Sequence, residues 1–527
     1  MRGLANSYEE DHQTLRLIHA GGKRIAELEK EVRETGWKKP ISHHAINTPQ
    51  EWVDGLMYYP APINTQIAWQ RSRQGIESMA LCGVTHTISS SGVLAQIAEY
   101  IHGPFCDWDA LICTSQSVLK TVHQVWEFQK SQLAFRLGVE KINPALPMTP
   151  VIPLGIHTDD FIPDLNFRAI SRQELQIQGD EIVVLYVGRL SLHAKANPLP
   201  MYIACARAAN QAKRKIRIIE CGWFSNEDIK KCFEEASEFA GISVTRIDGR
   251  IPHLVRQAFA VADIFMSLSD NIQETFGLTP LEAMAAGIAV IASDWDGYRE
   301  TIRHGIDGIL IPTTQPGLLD CALAISEGYE DGKINYDHYI GHSHLMTSVD
   351  ISACSQALKE LIESPEKRAA MGASGMKRAR EIYDWKVVMK DYRALWSEQE
   401  LKRMHAANTG KTSLRNPAFL NPLELFDHYP SQLLEPDTLL WRDSNTTDKE
   451  INSLRTLKMW GFAANRLETP EKMLEACIKL PHQNQPGLRI QDWATSCGWS
   501  LSKGLRHAAW LHKVGAIHIG NLAGGLA

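Results

Sequence analysis

The segment EIVVLYVGRL, Glu181 to Leu190, stays apolar from Ile182 to Val187 and then breaks at Gly188. A strand with one wet face alternates polar and apolar residues, so an unbroken run predicts a strand covered on both faces. Five similar runs come after it: KIRIIECGW from Lys215, ISVTRIDGR from Ile242, ADIFMSLS from Ala262, IAVIASDWDG from Ile288 and GILIP from Gly308. Helical stretches separate them, which predicts a parallel, doubly wound α/β sheet. Ligands of such sheets bind beyond the carboxyl ends of the strands.

Outward from this sheet, CGVTHTIS (82–89) and DALICTS (109–115) read as strands around the helix SGVLAQIAEYI, and VIPLGIHTDDF (151–161) as a strand and turn leading into the next domain. The first 60 residues read as helical and polar, with no opening strand and glycine loop. The expected organisation is an N-terminal Rossmann-like domain over 1–160, apparently without its first strand and glycine loop, and a C-terminal one with closing helices over 161–407. A linker rich in Asn, Ser, Thr, Gly and Pro comes next over 408–422. Residues 423–527 end in two short helices around a glycine turn and a final apolar strand, a small helical module of winged-helix or helix-turn-helix type.

At 527 residues the chain is long enough for two or three cores. A net charge of -6 and a pI near 6.4 give no global reason to bind nucleic acid. Residues 415–527 hold 12 Lys/Arg against 11 Asp/Glu, so the C-terminal module lacks the basic face of a DNA reader, and a protein-contact or acceptor-docking role is the expectation there. The ten cysteines include no CxxC pair, which suits a reduced, cytoplasmic protein. No run of about 18 apolar residues occurs, so any membrane contact is expected to be peripheral at most, at the inner face.

The stretch QETFGLTPLE, Gln273 to Glu282, carries two acids around a Phe-Gly turn. Thr279, Pro280 and Glu282 form the pattern of a helix start, with Thr279 as N-cap and Glu282 closing a capping box. That alone accounts for Glu282. Glu274 precedes the helix and has no such account. A helix N-terminus at the end of a parallel strand suits a phosphate, Gly277 permits close approach, and an acid beside it suits neutral hydroxyls. Arg189 and Lys195, in YVGRLSLHAK, supply cations at a neighbouring strand end.

These residues carry a resemblance. Gly188-Arg189, Lys195, ADIFMSLSD, the E-x7-E pair Glu274 and Glu282, and ETIRHGIDGILIP resemble a retaining glycosyltransferase of family 4 with the GT-B fold, two Rossmann-like domains facing a cleft. GVTHT, DALICTS and VIPLGIHTDDF fit the same family, and the resemblance spans roughly residues 55 to 400. It implies that Glu274 holds donor-sugar hydroxyls and that Phe276, Gly277 and Leu278, with Thr279 beside them, surround sugar and phosphate. It implies further that Glu282 binds the ribose, that Arg189 and Lys195 neutralise the diphosphate next to Gly188, that His86 lies near the donor sugar and that Arg250 contacts the base. A lone His after a strand and an Arg in a turn have ordinary structural roles as well.

DWD occurs twice, at Asp107–Asp109 and Asp294–Asp296, and D-x-D is how another transferase class holds a divalent cation. Such short patterns recur by chance, so no metal or other cofactor is expected, and His43-His44 reads as surface. The expected function is transfer of a hexose from a nucleotide diphosphate sugar to a hydroxyl on a glycan or lipid-linked acceptor, in surface or storage glycan synthesis. An epimerase or phosphorylase of this fold is a rival, although no pyridoxal phosphate lysine context is seen. A catalytically inactive sugar-nucleotide-binding regulator that uses the C-terminal module is the alternative from another class.

Overall fold

Six strands form one all-parallel sheet in the spatial order Gly308–Ile311, Ala289–Ser293, Ile264–Ser267, Ile182–Val187, Ile216–Gly222, Ser243–Asp248. The sequence supplies the reason. Val183 and Leu185 bury against one layer with Phe265, Leu281 and Met284, while Val184 and Tyr186 bury against the other with Tyr202, Met266 and Leu358. A large apolar side chain gains about 1.5–3 kcal/mol on burial, so both faces must be covered. Strand order reverses between Ile182–Val187 and Ile264–Ser267, which pair through Val184↔Ile264 and Leu185↔Phe265. A crevice opens at such a switch point.

The structure, a computed structural model, describes residues 2–7, 14–20, 24–407, 413–454, 456–463 and 466–520. The opening strand expected to be missing is present. Leu15–His19 pairs in parallel with Ile41–Ala45, and the helix Ile25–Glu34 lies between them. Arg16 and an only partly buried surface hide this strand from a search for apolar runs. The glycines after it, at 21 and 22, lie outside the described residues. Gly55–Tyr58, Met79–Val84 and Ala110–Ile112 form a second parallel sheet of the first half.

Two further expectations need correction. VIPLGIHTDDF contains no strand: it makes isolated bridges at Val151 to Cys113 and at Ile156 to Asp384, then a 3-10 turn at Thr158–Phe161. Pro153 and Gly155 deny it a regular ladder. The helix Trp385–Ala407, assigned to the second domain from sequence, packs on the first. Its Val388, Met389 and Tyr392 bury against Cys82, Val84 and Ile112, and Gln399 Nε2 donates to the carbonyls of Leu81 and Trp108, each at 3.0 Å. The chain thus returns to the first half to close a two-domain α/β body of the GT-B class.

The body ends at Asn416, and Pro417–Ala527 form a separate unit. Within that unit the helices Ile490–Ser496 and Leu501–Lys513 meet around Gly498, and the strand Ile517–Gly520 comes after them. Leu439–Arg442 forms the centre of an antiparallel sheet between Leu488–Arg489 and Ile517–Gly520. Trp493, Leu440 and Leu511 fill its core.

Candidate functional site

At the switch point lies a cleft of about 270 Å³ lined by Gly188, Lys195, Glu274, Phe276, Gly277, Leu278 and Thr279, together with Tyr186, Ser269 and Tyr298. Cross-ties between strand ends hold its walls. Asn271 Nδ2 donates to the His193 carbonyl at 2.6 Å, Ser269 Oγ to the Lys195 carbonyl at 3.2 Å, and Ser293 Oγ to the Ser269 carbonyl at 2.6 Å. The loops after three strands are therefore fixed relative to one another before any ligand arrives.

Glu274 sits at the centre. Its Oε2 accepts from Lys195 Nζ at 3.3 Å and from the Tyr298 hydroxyl at 3.4 Å, and its Oε1 accepts from Thr275 N at 3.3 Å. The Glu274 side chain is 11% exposed and that of Lys195 34%, so the ion pair is half inside the protein and half at the cleft's mouth. A carboxylate so placed needs its cation, and the cation retains a side open to an incoming anion.

The helix after this loop corrects one expectation. It spans Leu278–Ala285, and its N-cap is Gly277, not Thr279. No side chain caps it, so there is no capping box between Thr279 and Glu282. Gly277 takes the cap because its φ of +89° is left-handed and because a Cβ there would run into the Tyr298 ring at Cε1. Thr279 consequently falls inside the first turn. The opening N–H groups of this helix keep their positive end without a side-chain acceptor, beside the cleft.

Glu282, freed from capping, has no hydrogen bond to its carboxyl among the described residues, and burial pushes its pKa up to about 7. Arg189 stands exposed at the rim, where its Nη2 donates to Gln273 Oε1 at 3.3 Å. Like Glu282 and Arg189, two further expected residues lie outside the cleft lining. Arg250 is clamped on Asp248 through Nε at 2.9 Å and Nη2 at 2.7 Å, and this ion pair holds the Asp248 carboxyl at about 2. His86 lies exposed beyond the strand Met79–Val84 of the first half, with Nε2 2.9 Å from the Pro60 carbonyl oxygen.

The two DWD segments do different work. Asp109 is buried: its Oδ1 accepts from Arg71 Nη1 at 2.7 Å and Leu81 N at 2.9 Å, and its Oδ2 from Cys106 N at 2.9 Å. Its carboxylate is consumed by structure. In the second, Asp294 pairs with Arg299 at 2.9 Å, and Asp296 takes a φ of +43°. Burial, aided by the nearby Glu274 charge, raises Asp296 to about 7. This DWDG turn delivers Tyr298, a site residue that no local sequence signal points to. It swings the Tyr298 hydroxyl back onto Ser267 Oγ at 2.9 Å and onto Glu274.

Residues 167–333 match the family of glycosyl transferases group 1, and this part of the chain is a domain of that kind. A D-inositol 3-phosphate glycosyltransferase of Geodermatophilus obscurus is 29% identical over 183 residues, 34% of this chain and 39% of the relative. A phosphatidyl-myo-inositol mannosyltransferase of Mycobacterium tuberculosis is 51% identical over 67 residues, 13% of this chain and 18% of that one. The chain thus spans about two fifths of the first relative's length. Among solved structures, Anabaena HepE in complex with UDP and glucose is 16% identical with a TM-score of 0.48, over 73% of this chain and 100% of that one.

Proposed function

We propose that this protein is a retaining glycosyltransferase of family 4 type that moves a hexose from a nucleotide diphosphate sugar to a hydroxyl acceptor. The observation that carries the reading is the Lys195–Glu274 contact, 3.3 Å, beside the uncapped N-terminus of Leu278–Ala285. One cleft then offers a cation and helix N–H groups for a diphosphate and an acid for neutral sugar hydroxyls. In this reading Lys195 and Arg189 neutralise the diphosphate as charge develops on it, Glu274 orients the sugar and Glu282 accepts from the ribose. His86 faces the sugar from the first half, and Arg250 exchanges Asp248 for the base. The C1–O bond to the β-phosphate breaks while the acceptor oxygen bonds to C1 on the same face. The acceptor proton passes to the leaving phosphate oxygen.

The acceptor class is a glycan or a lipid-linked sugar of surface or storage glycan synthesis, and inositol phosphates join the test set because two relatives' names contain inositol. No helix among the described residues is long and apolar enough to cross a membrane. Incubating the full chain with UDP-, GDP-, ADP- and TDP-sugars, with and without D-inositol 3-phosphate, tests the reading. Slow hydrolysis or transfer with one base is expected. Failure of every nucleotide sugar to bind or turn over would end the proposal, while binding without turnover would move the chain to the inactive regulator.

A further inference from the structure

Two carboxylates of the second half reach across to the first. Glu300 Oε1 accepts from Gln116 N at 2.7 Å, and Ser117 stands beside Asp296, where its hydroxyl favours the charged carboxyl. Gln116 and Ser117 open the helix Gln116–Leu137, whose free N–H groups and dipole favour negative charge at that end. Asp296 is held there at unusual expense. Its φ of +43° is left-handed, and its Oδ1 is shut from water with no hydrogen-bond partner. Groups kept in such a state mark a place where the surroundings over-determine the backbone.

The same segment presses on the loop of the candidate site. A Cβ at Gly297 would stand 2.6 Å from Phe276 Cα and 2.8 Å from the Thr275 carbonyl oxygen, so the two backbones touch. One residue on, Tyr298 fills the space beside Gly277 and reaches Glu274 Oε2 at 3.4 Å. An unbroken line of contacts therefore runs from Ser117 and Gln116, through Asp296 and Glu300, to the backbone around Phe276 and the Glu274 carboxylate. We infer that Asp296 and Glu300 are positioning residues through which the first half fixes the Glu274–Leu278 loop of the donor cleft. The role in catalysis rests on the proposed transferase reading; the mechanical coupling does not.

Hydrogen exchange of the full chain, without any sugar nucleotide, tests the coupling directly. Ser117→Ala, made in the first half, should raise amide exchange across 274–279 about fivefold, the scale of one lost polar contact, while the sheet amides of 182–187 stay unchanged. Asp296→Ala should add little to Ser117→Ala, because both remove the same contact. Glu300→Gln keeps an oxygen facing Gln116 and should retain protection that Glu300→Ala loses. With a donor that the wild type turns over, kcat should fall in Ser117→Ala while the Kd for the matching nucleoside diphosphate holds. A change confined to 114–119, a uniform rise that includes 182–187, or additive effects of Ser117→Ala and Asp296→Ala would each overturn the inference. A wild type that turned over no sugar would sink the transferase reading and leave the exchange result standing.

Discussion

Replacing Glu274 by Gln keeps the shape of the side chain but turns one acceptor oxygen into an NH2 donor. Glu274 Oε2 accepts from Lys195 at 3.3 Å and from Tyr298 at 3.4 Å, and both bonds are long. Long bonds to a pair whose cation is a third exposed hold little folding energy, so the fold should lose only about 1 kcal/mol or less. The transition state should lose more. Removing one preorganised group from developing charge or from a positioned sugar costs roughly 100- to 1000-fold in kcat, about 2.7–4 kcal/mol. The assay pairs thermal unfolding and nucleoside diphosphate binding with turnover of the sugar nucleotide that the wild type accepts. Loss of turnover, with unfolding midpoint and nucleotide affinity held, is the expected result. Unchanged turnover would refute the role given to Glu274, and a large fall in midpoint would show that the acid serves the fold.

Glu282 gives a pH dependence with a definite sign. Its pKa rises on folding from 4.5 to about 7 through burial, so the folded state favours the neutral acid. Stability tied to this group is full below pH 4.5 and is lost as pH climbs to 7, by up to about 3 kcal/mol. Glu282→Gln should abolish that loss in unfolding experiments between pH 4.5 and 7; an identical pH profile in the variant would disprove it. Asp109→Asn leaves Arg71 buried without its charge partner and should destabilise the first half by about 3–5 kcal/mol in denaturant titrations, which separates this DWD from any metal role. Gly277→Ala forces a Cβ into the Tyr298 ring at a left-handed φ; nucleotide binding should fall by at least tenfold, about 1.4 kcal/mol, and normal binding would mean that the loop has slack. EDTA should leave turnover intact, and its complete loss on chelation would restore a metal to the reaction.

Burial decides which parts of the molecule are legible in the sequence. Strands covered on both faces announce themselves as apolar runs, so the inner strands of the six-stranded sheet can be read directly, and the partly exposed edge strand Ser243–Asp248 is read from its place in the series. Leu15–His19 cannot, because its partly exposed face admits Arg16 and breaks the pattern. Cleft residues held by local backbone, Gly188 and Phe276 to Leu278, are legible because glycine and the end of a strand are local signals. The capping box misleads for the same reason. Thr279-Pro280 is a good helix start taken alone, but the Tyr298 ring lies against Gly277, and that contact comes from beyond the next strand, Ala289–Ser293. Moving the cap back to Gly277 strips Glu282 of its structural excuse and leaves its half-buried carboxyl without a hydrogen bond among the described residues. Both acids of QETFGLTPLE therefore need a reason outside the helix. Glu274 has Lys195, and for Glu282 the reason must be a ligand hydroxyl or a proton, which the pH profile of Glu282→Gln distinguishes.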